Sequence, residues 1–199
     1  MGRILVFGDS IVYGYDDSEG GWWVERLKRD LWENESGWDV YNLWIPGDTS
    51  QDVAVRIAPE MSARVDGDAI VIIAVGINDA MRFEGGDERF VGEENFSTAI
   101  NLIVDDVTWF ETPLLLLWLT RVAWGVLPCG DTVVYDNNDI ELYDKLLAKI
   151  ALDRSIDYLP LNDVMDESYL KDGLHPNQLW HKLIYEKVKG FLEEKGWVD

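Results

Sequence analysis

Two hydrophobic rhythms alternate along the chain. Short strand-like runs occupy residues 4–7, 39–45, 69–75, 114–119 and 156–161, the third being apolar throughout and dense in β-branched residues. Runs of this length and composition suit strands buried on both faces. Between them, apolar residues recur at spacings of three and four: Trp23, Leu27 and Leu31; Val53, Ile57 and Met61; Phe96, Ile100, Val104 and Val107; Ile140, Tyr143, Leu147 and Ile150. Each set marks one face of a helix. A last helix is expected from about 178 to 195, stopping near Gly196. The order βαβαβαβαβα predicts an α/β fold, a parallel sheet with helices on both faces.

Local signals set the boundaries. Thr49 or Ser50 can cap the second long helix, and Pro59 within it is expected to kink or shorten it. Asn138 with Glu141 three residues on reads as a capping box for the fourth. Three connections stand out as loops: 14–21, 76–92 and 121–136, the last long enough to serve as a lid or binding loop. Trp22 and Trp23 read as core residues, whereas Trp44, Trp118 and Trp124 fall near strand ends, where they line a site or join the core. At 199 residues the chain fits one domain, residues 1–199.

Composition narrows the function. A formal net charge of −21 repels phosphate backbones and anionic lipid surfaces, which argues against nucleic-acid and membrane-surface partners. The single Cys129 has no second cysteine to pair with and no zinc-ligand spacing around it. The first strand begins almost at once, leaving no space for a signal peptide, and the 113–119 stretch is too short to span a bilayer. The expectation is a soluble, cytoplasmic protein. A Walker lysine and a G-x-G-x-x-G pattern are both missing, which disfavours nucleotide binding.

In a parallel sheet all carboxyl strand ends lie on one rim, where ligands bind. Ser10 follows the first run, Gly47 the second and Asn78 the third, while Asp172 and His175 follow the fifth through a loop. Serine needs a base to become a nucleophile, and imidazole titrates near neutrality. Of two histidines, His181 falls inside the last helix and is expected at its surface or half-buried, so His175 is the candidate base. Asp172, three residues before it, is spaced to accept from one ring nitrogen and aim the other at Ser10. The Ser10 N–H, the Gly47 N–H and the Asn78 amide are candidate donors to an oxyanion. Taken singly, Gly8-Asp9-Ser10 and Gly47 also read as tight turns, and Asn78 as a side chain bonding its own turn.

Together these residues resemble the GDSL, or SGNH, hydrolase family. Gly8-Asp9-Ser10, Gly47, Gly76-Ile77-Asn78-Asp79 and Asp172-Gly173-Leu174-His175 match its four blocks in order and strand context, with Ile11 where the family name has leucine. The resemblance implies a three-layer α/β/α sandwich, a flavodoxin-like sheet of five parallel strands in the order 2-1-3-4-5. It further implies ester hydrolysis through an acyl-enzyme, with Ser10 as nucleophile, His175 as base and then acid, and Asp172 as its orienter. Ser10, Gly47 and Asn78 would form the oxyanion hole, with no metal or cofactor. The expected substrate is a small-molecule or carbohydrate acyl ester of small or medium acyl group. A carbohydrate O-deacetylase, a thioesterase or lysophospholipase, and an acyltransferase remain alternatives within the family. A non-catalytic flavodoxin-like binding module is the alternative outside it.

Overall fold

The computed structural model describes residues 1–14, 21–117, 121–123, 132–161 and 167–198. Five strands, β1 (Gly2–Gly8), β2 (Trp38–Trp44), β3 (Ala69–Ala74), β4 (Leu114–Leu117) and β5 (Asp157–Leu159), form a parallel sheet in the order 2-1-3-4-5. The helices are α1 (Ser10–Tyr13), α2 (Trp23–Glu33), α3 (Ser50–Arg64), α4 (Glu93–Trp109), α5 (Asn137–Arg154) and α6 (Gln178–Glu194). The architecture is the α/β fold that the alternating rhythms predict.

Side chains alternate across a strand, so an apolar run must be covered on both sides. On one face Ile4 and Val6 of β1 pack with Val24 and Leu27 of α2 and with Trp180, Ile184 and Val188 of α6. On the other, Leu5 and Phe7 pack with Val53 and Ile57 of α3, Ile100 of α4 and Leu147 of α5. β1 lies between β2 and β3, in register Gly8 to Trp44 and Gly8 to Ala74, so its carboxyl end is central to the rim.

Several local expectations are corrected. α3 is not shortened by Pro59 but runs on to Arg64. A proline leaves the carbonyl four residues earlier without its helical partner; that residue, Val55, is exposed, so water can reach this turn. Asp136, not Asn138, caps α5, accepting from the Asn138 N–H at 2.7 Å. His181 is fully buried, not at the surface or half-buried. The α6 helix packs on both the sheet and α2, which widens its buried arc beyond a single stripe. The 76–92 and 121–136 connections are not wholly irregular, because Arg82–Phe83 pairs antiparallel with Val133–Val134. Trp118, Trp124, Cys129 and the 15–20 and 124–131 parts of these loops lie outside the described residues. Among the described residues no helix is long and apolar enough to cross a membrane.

Gly8 is required by close approach, not by backbone conformation. A Cβ there would strike the Ala74 carbonyl oxygen and the Val12 side chain. Overpacking typically costs about 1–3 kcal/mol, so Gly8→Ala should lower the midpoint of urea unfolding accordingly. An unchanged midpoint would mean that β1, β3 and α1 separate freely.

Candidate active site

The chain turns from β1 into α1 at Asp9. Its Oδ1 accepts from the Ile11 N–H at 2.9 Å and caps α1, which makes Ser10 the first residue of a single helical turn. A residue in that position has an N–H outside the helix's own bonding. Gly14, at φ +82°, ends the turn with its N–H on the Ser10 carbonyl at 3.0 Å.

His175 Nε2 lies 2.9 Å from Ser10 Oγ, a hydrogen bond between residues 165 positions apart. Its Nδ1 lies 2.6 Å from Asp172 Oδ2. The other carboxylate oxygen of Asp172 accepts from the Leu174 N–H at 2.9 Å and the His175 N–H at 2.7 Å, so the loop itself aims the carboxylate. Burial alone would raise the Asp172 carboxyl, but the His175 N–H, the imidazole and the Leu174 N–H outweigh it and hold it below the usual carboxylate value. The loop is closed by the Lys171 N–H on the His175 carbonyl at 3.0 Å. It is braced by the Ala123 N–H on the Gly173 carbonyl at 2.8 Å. Asn137, at the start of α5, exchanges two hydrogen bonds with the Val122 backbone and holds that brace.

The predicted donors come from the two neighbouring strand ends. Residues 45–48 form a turn closed by the Asp48 N–H on the Ile45 carbonyl at 3.1 Å. Pro46 and Gly47 sit at its centre, Gly47 at φ +82°, the value a type II turn demands of its third residue. Gly47 is exposed and nothing lies near the position a Cβ would take. Asn78 is buried, and its Nδ2 donates to the Asp48 carbonyl at 3.0 Å and to Asp9 Oδ2 at 3.2 Å. One amide thus ties together the loops after β1, β2 and β3. Ser10 at the start of α1 and the other four residues on loops all follow carboxyl strand ends of the sheet.

Four participants have no role in the sequence reading, although Asp9 and Asp79 belong to the blocks quoted there. Asp9 and Asp48 contact Asn78, Asp79 locks the loop after β3, and Tyr135 donates its hydroxyl proton to Asn78 Oδ1 at 3.2 Å. Asp79 accepts from the Ser50 N–H and hydroxyl, pinning that loop to the start of α3, where Thr49 and Asp52 form the capping box. Asp48 is paired with Arg56 at 2.8 Å. An aspartate ending an apolar run hints at a cap, but no periodicity marks Tyr135, 57 residues from Asn78. Beside Ser10, Tyr13 packs against Trp44 at 3.8 Å and Trp22 at 4.5 Å between ring centres, all three half-buried.

A family model described as the GDSL-like lipase/acylhydrolase family matches residues 6–183, most of the chain. The chain belongs to the GDSL-like lipase/acylhydrolase family. As a GDSL-like acylhydrolase it is a carboxylic ester hydrolase. It is 25% identical to the isoamyl acetate-hydrolyzing esterase 1 homolog of Bos taurus, over 97% of this chain and 82% of that protein. The fold is shared with a lipase/acylhydrolase from Enterococcus faecalis at TM-score 0.78 and 21% identity, covering 100% of this chain and 98% of that one. An acetyl xylan esterase, AlAXEase, superposes at TM-score 0.77 and 17% identity over 96% of this chain and 99% of that one.

Buried acids set a pH dependence in this GDSL-like chain. Burial raises the Asp9 carboxyl to about 7; the Ile11 N–H opposes this, and Asp79 and Asp48 add to it. Burial likewise raises Asp79 to about 6 against its hydrogen bonds from Ser50. A folded state that holds protons more tightly than the unfolded chain loses stability as pH rises through that window. For Asp9 the loss runs from about pH 4 to about pH 7. Asp9→Asn removes this titration, so its stability should gain on wild type between pH 4 and pH 8, by a few kcal/mol at most. Urea unfolding at both pH values measures the gap; a gap that stays constant would refute titration of Asp9 in this range.

Proposed function

We propose that this chain hydrolyses esters of small or medium acyl groups through Ser10, His175 and Asp172 and an acyl-enzyme. The observation that carries the reading is a single imidazole, that of His175, hydrogen-bonded at 2.9 Å to the Ser10 hydroxyl and at 2.6 Å to Asp172. Ser10 Oγ attacks the ester carbonyl while its proton passes to His175 Nε2. The negative charge grows on the former carbonyl oxygen, where the Ser10 N–H, the Gly47 N–H and the Asn78 amide are the donors. Collapse expels the alcohol, which takes the proton from Nε2. Water then attacks the acyl-serine, His175 accepts its proton, and the acid leaves with Ser10 restored. Asp172, held ionised below the usual carboxylate value, favours the imidazolium that forms in each half-reaction.

The bovine relative is named for isoamyl acetate and one structural neighbour for acetyl xylan. Both are acetate esters, which supports a short acyl group here and leaves a carbohydrate O-deacetylase as the second reading. The half-buried cluster of Tyr13, Trp22 and Trp44 offers an aromatic wall for the substrate beside Ser10.

Purified protein should hydrolyse p-nitrophenyl acetate, and a fluorophosphonate should label Ser10. Ser10→Ala should lose roughly a millionfold in turnover, Asn78→Ala only about a hundred- to thousandfold. The reverse ranking would contradict the roles assigned, and a folded protein that resists labelling would favour the non-catalytic module. Comparing acetylated xylan, simple acetates and an acyl-CoA separates the deacetylase, esterase and thioesterase readings.

A further inference from the structure

Asn78 has every polar atom engaged. The Asp48 carbonyl can only accept, so the nitrogen end of the amide must face it, and Asp9 Oδ2 takes the second amide hydrogen. The oxygen end then faces Tyr135, whose hydroxyl donates to Oδ1 at 3.2 Å from a ring that is itself buried. A flipped amide would set its oxygen against the Asp48 carbonyl oxygen. We propose that Tyr135 is a positioning residue for Asn78: it fixes the direction of the amide and strengthens its N–H groups, so that one hydrogen stays on the Asp48 carbonyl while the other exchanges its longer, 3.2 Å contact with Asp9 Oδ2 for the oxyanion. This rests on reading Asn78 as an oxyanion donor. Hydrogen bonds in a chain polarise one another, so a donor on the amide oxygen makes the amide nitrogen a better donor.

Tyr135 is held for this task by contacts far from Ser10. It directly follows Val133–Val134, which pairs with Arg82–Phe83 and receives the further bond Glu84 N–H to Thr132 carbonyl at 3.1 Å. Asp139 at the start of α5, buried, accepts from Arg82 Nε at 2.7 Å and from Arg89 Nε at 2.8 Å. The two guanidinium groups overcome the effect of burial and hold the Asp139 carboxyl below its usual value. The loop after β3 is thereby fastened on both sides of Tyr135, to residues 132–134 before it and to Asp139 of α5 after it. Met81 Sδ, 3.8 Å from the same hydroxyl, completes its surroundings.

The test is a double-mutant cycle on p-nitrophenyl acetate with wild type, Tyr135→Phe, Asn78→Ala and the double variant. One neutral hydrogen bond corresponds to about three- to tenfold in rate. Tyr135→Phe should therefore lower kcat by about that factor and leave KM within about twofold. In the Asn78→Ala background the same substitution should change kcat less than about twofold. Equal losses in both backgrounds, or a change confined to KM, would overturn the proposal alone. Wild-type kcat in Asn78→Ala would sink the oxyanion reading and the proposal with it. Should the phenylalanine variant fail to fold, 3-fluorotyrosine at 135 has a more acidic hydroxyl at nearly the same volume. It should raise kcat at constant KM, and an unchanged kcat overturns the role.

Discussion

The central constraint is the burial of β1 on both faces and along both edges. Its neighbours β2 and β3 leave it no solvent edge, and α2 with α6 on one side and α3 with α4 and α5 on the other leave it no solvent face. Only at its carboxyl end can polar chemistry begin. There the packing is tight enough that Gly8 has no room for a methyl group against the Ala74 carbonyl. The abrupt change from apolar strand to Asp9-Ser10 follows from this: Asp9, the first residue past the sheet, is buried as the cap of α1, and Ser10 comes directly after it.

Beneath that rim lies a concentration of buried carboxyls. Asp9, Asp48 and Asp79 are all nearly inaccessible, and burial pushes each one up. Burying a charge is costly unless hydrogen bonds or an opposite charge offset it. Each of these acids has such an offset: Asp9 the cap of α1, Asp48 the Arg56 guanidinium, Asp79 the hydroxyl and N–H of Ser50. What they gain is geometric. Each fastens one strand-end loop to a helix or to the next loop, so the loops of the rim are tied together.

The family relationship fits this division. A structural neighbour at 17% identity shares the fold, although most of the sequence has changed. An apolar core tolerates exchange of residues at constant volume, whereas a hydrogen-bonded loop end does not, because a buried polar atom left without its partner costs the full desolvation energy.

The order of elements, the parallel sheet and the rim residues were legible in the sequence, because strand and helix periodicities are local and a parallel α/β sheet brings all carboxyl ends together. Ser10, Gly47, Asn78, Asp172 and His175 could be picked out for the same reason: the first three each follow their own strand, and the last two follow the fifth together. The distances could not be read, since the 2.9 Å between Ser10 and His175 depends on how α6 and its preceding loop pack on the sheet. Nor could the Asp136 cap, since Asn138 offers an equally good local pattern, or the burial of His181, which reflects α6 packing on two surfaces at once. Tyr135 is the clearest case. Its contact with Asn78 is set by a two-residue strand pairing and a buried Arg–Asp cluster, each joining segments about fifty residues apart. Local sequence determines what each segment can become; which polar atoms finally meet is decided by tertiary packing, because only there do residues distant in the chain share one dry volume.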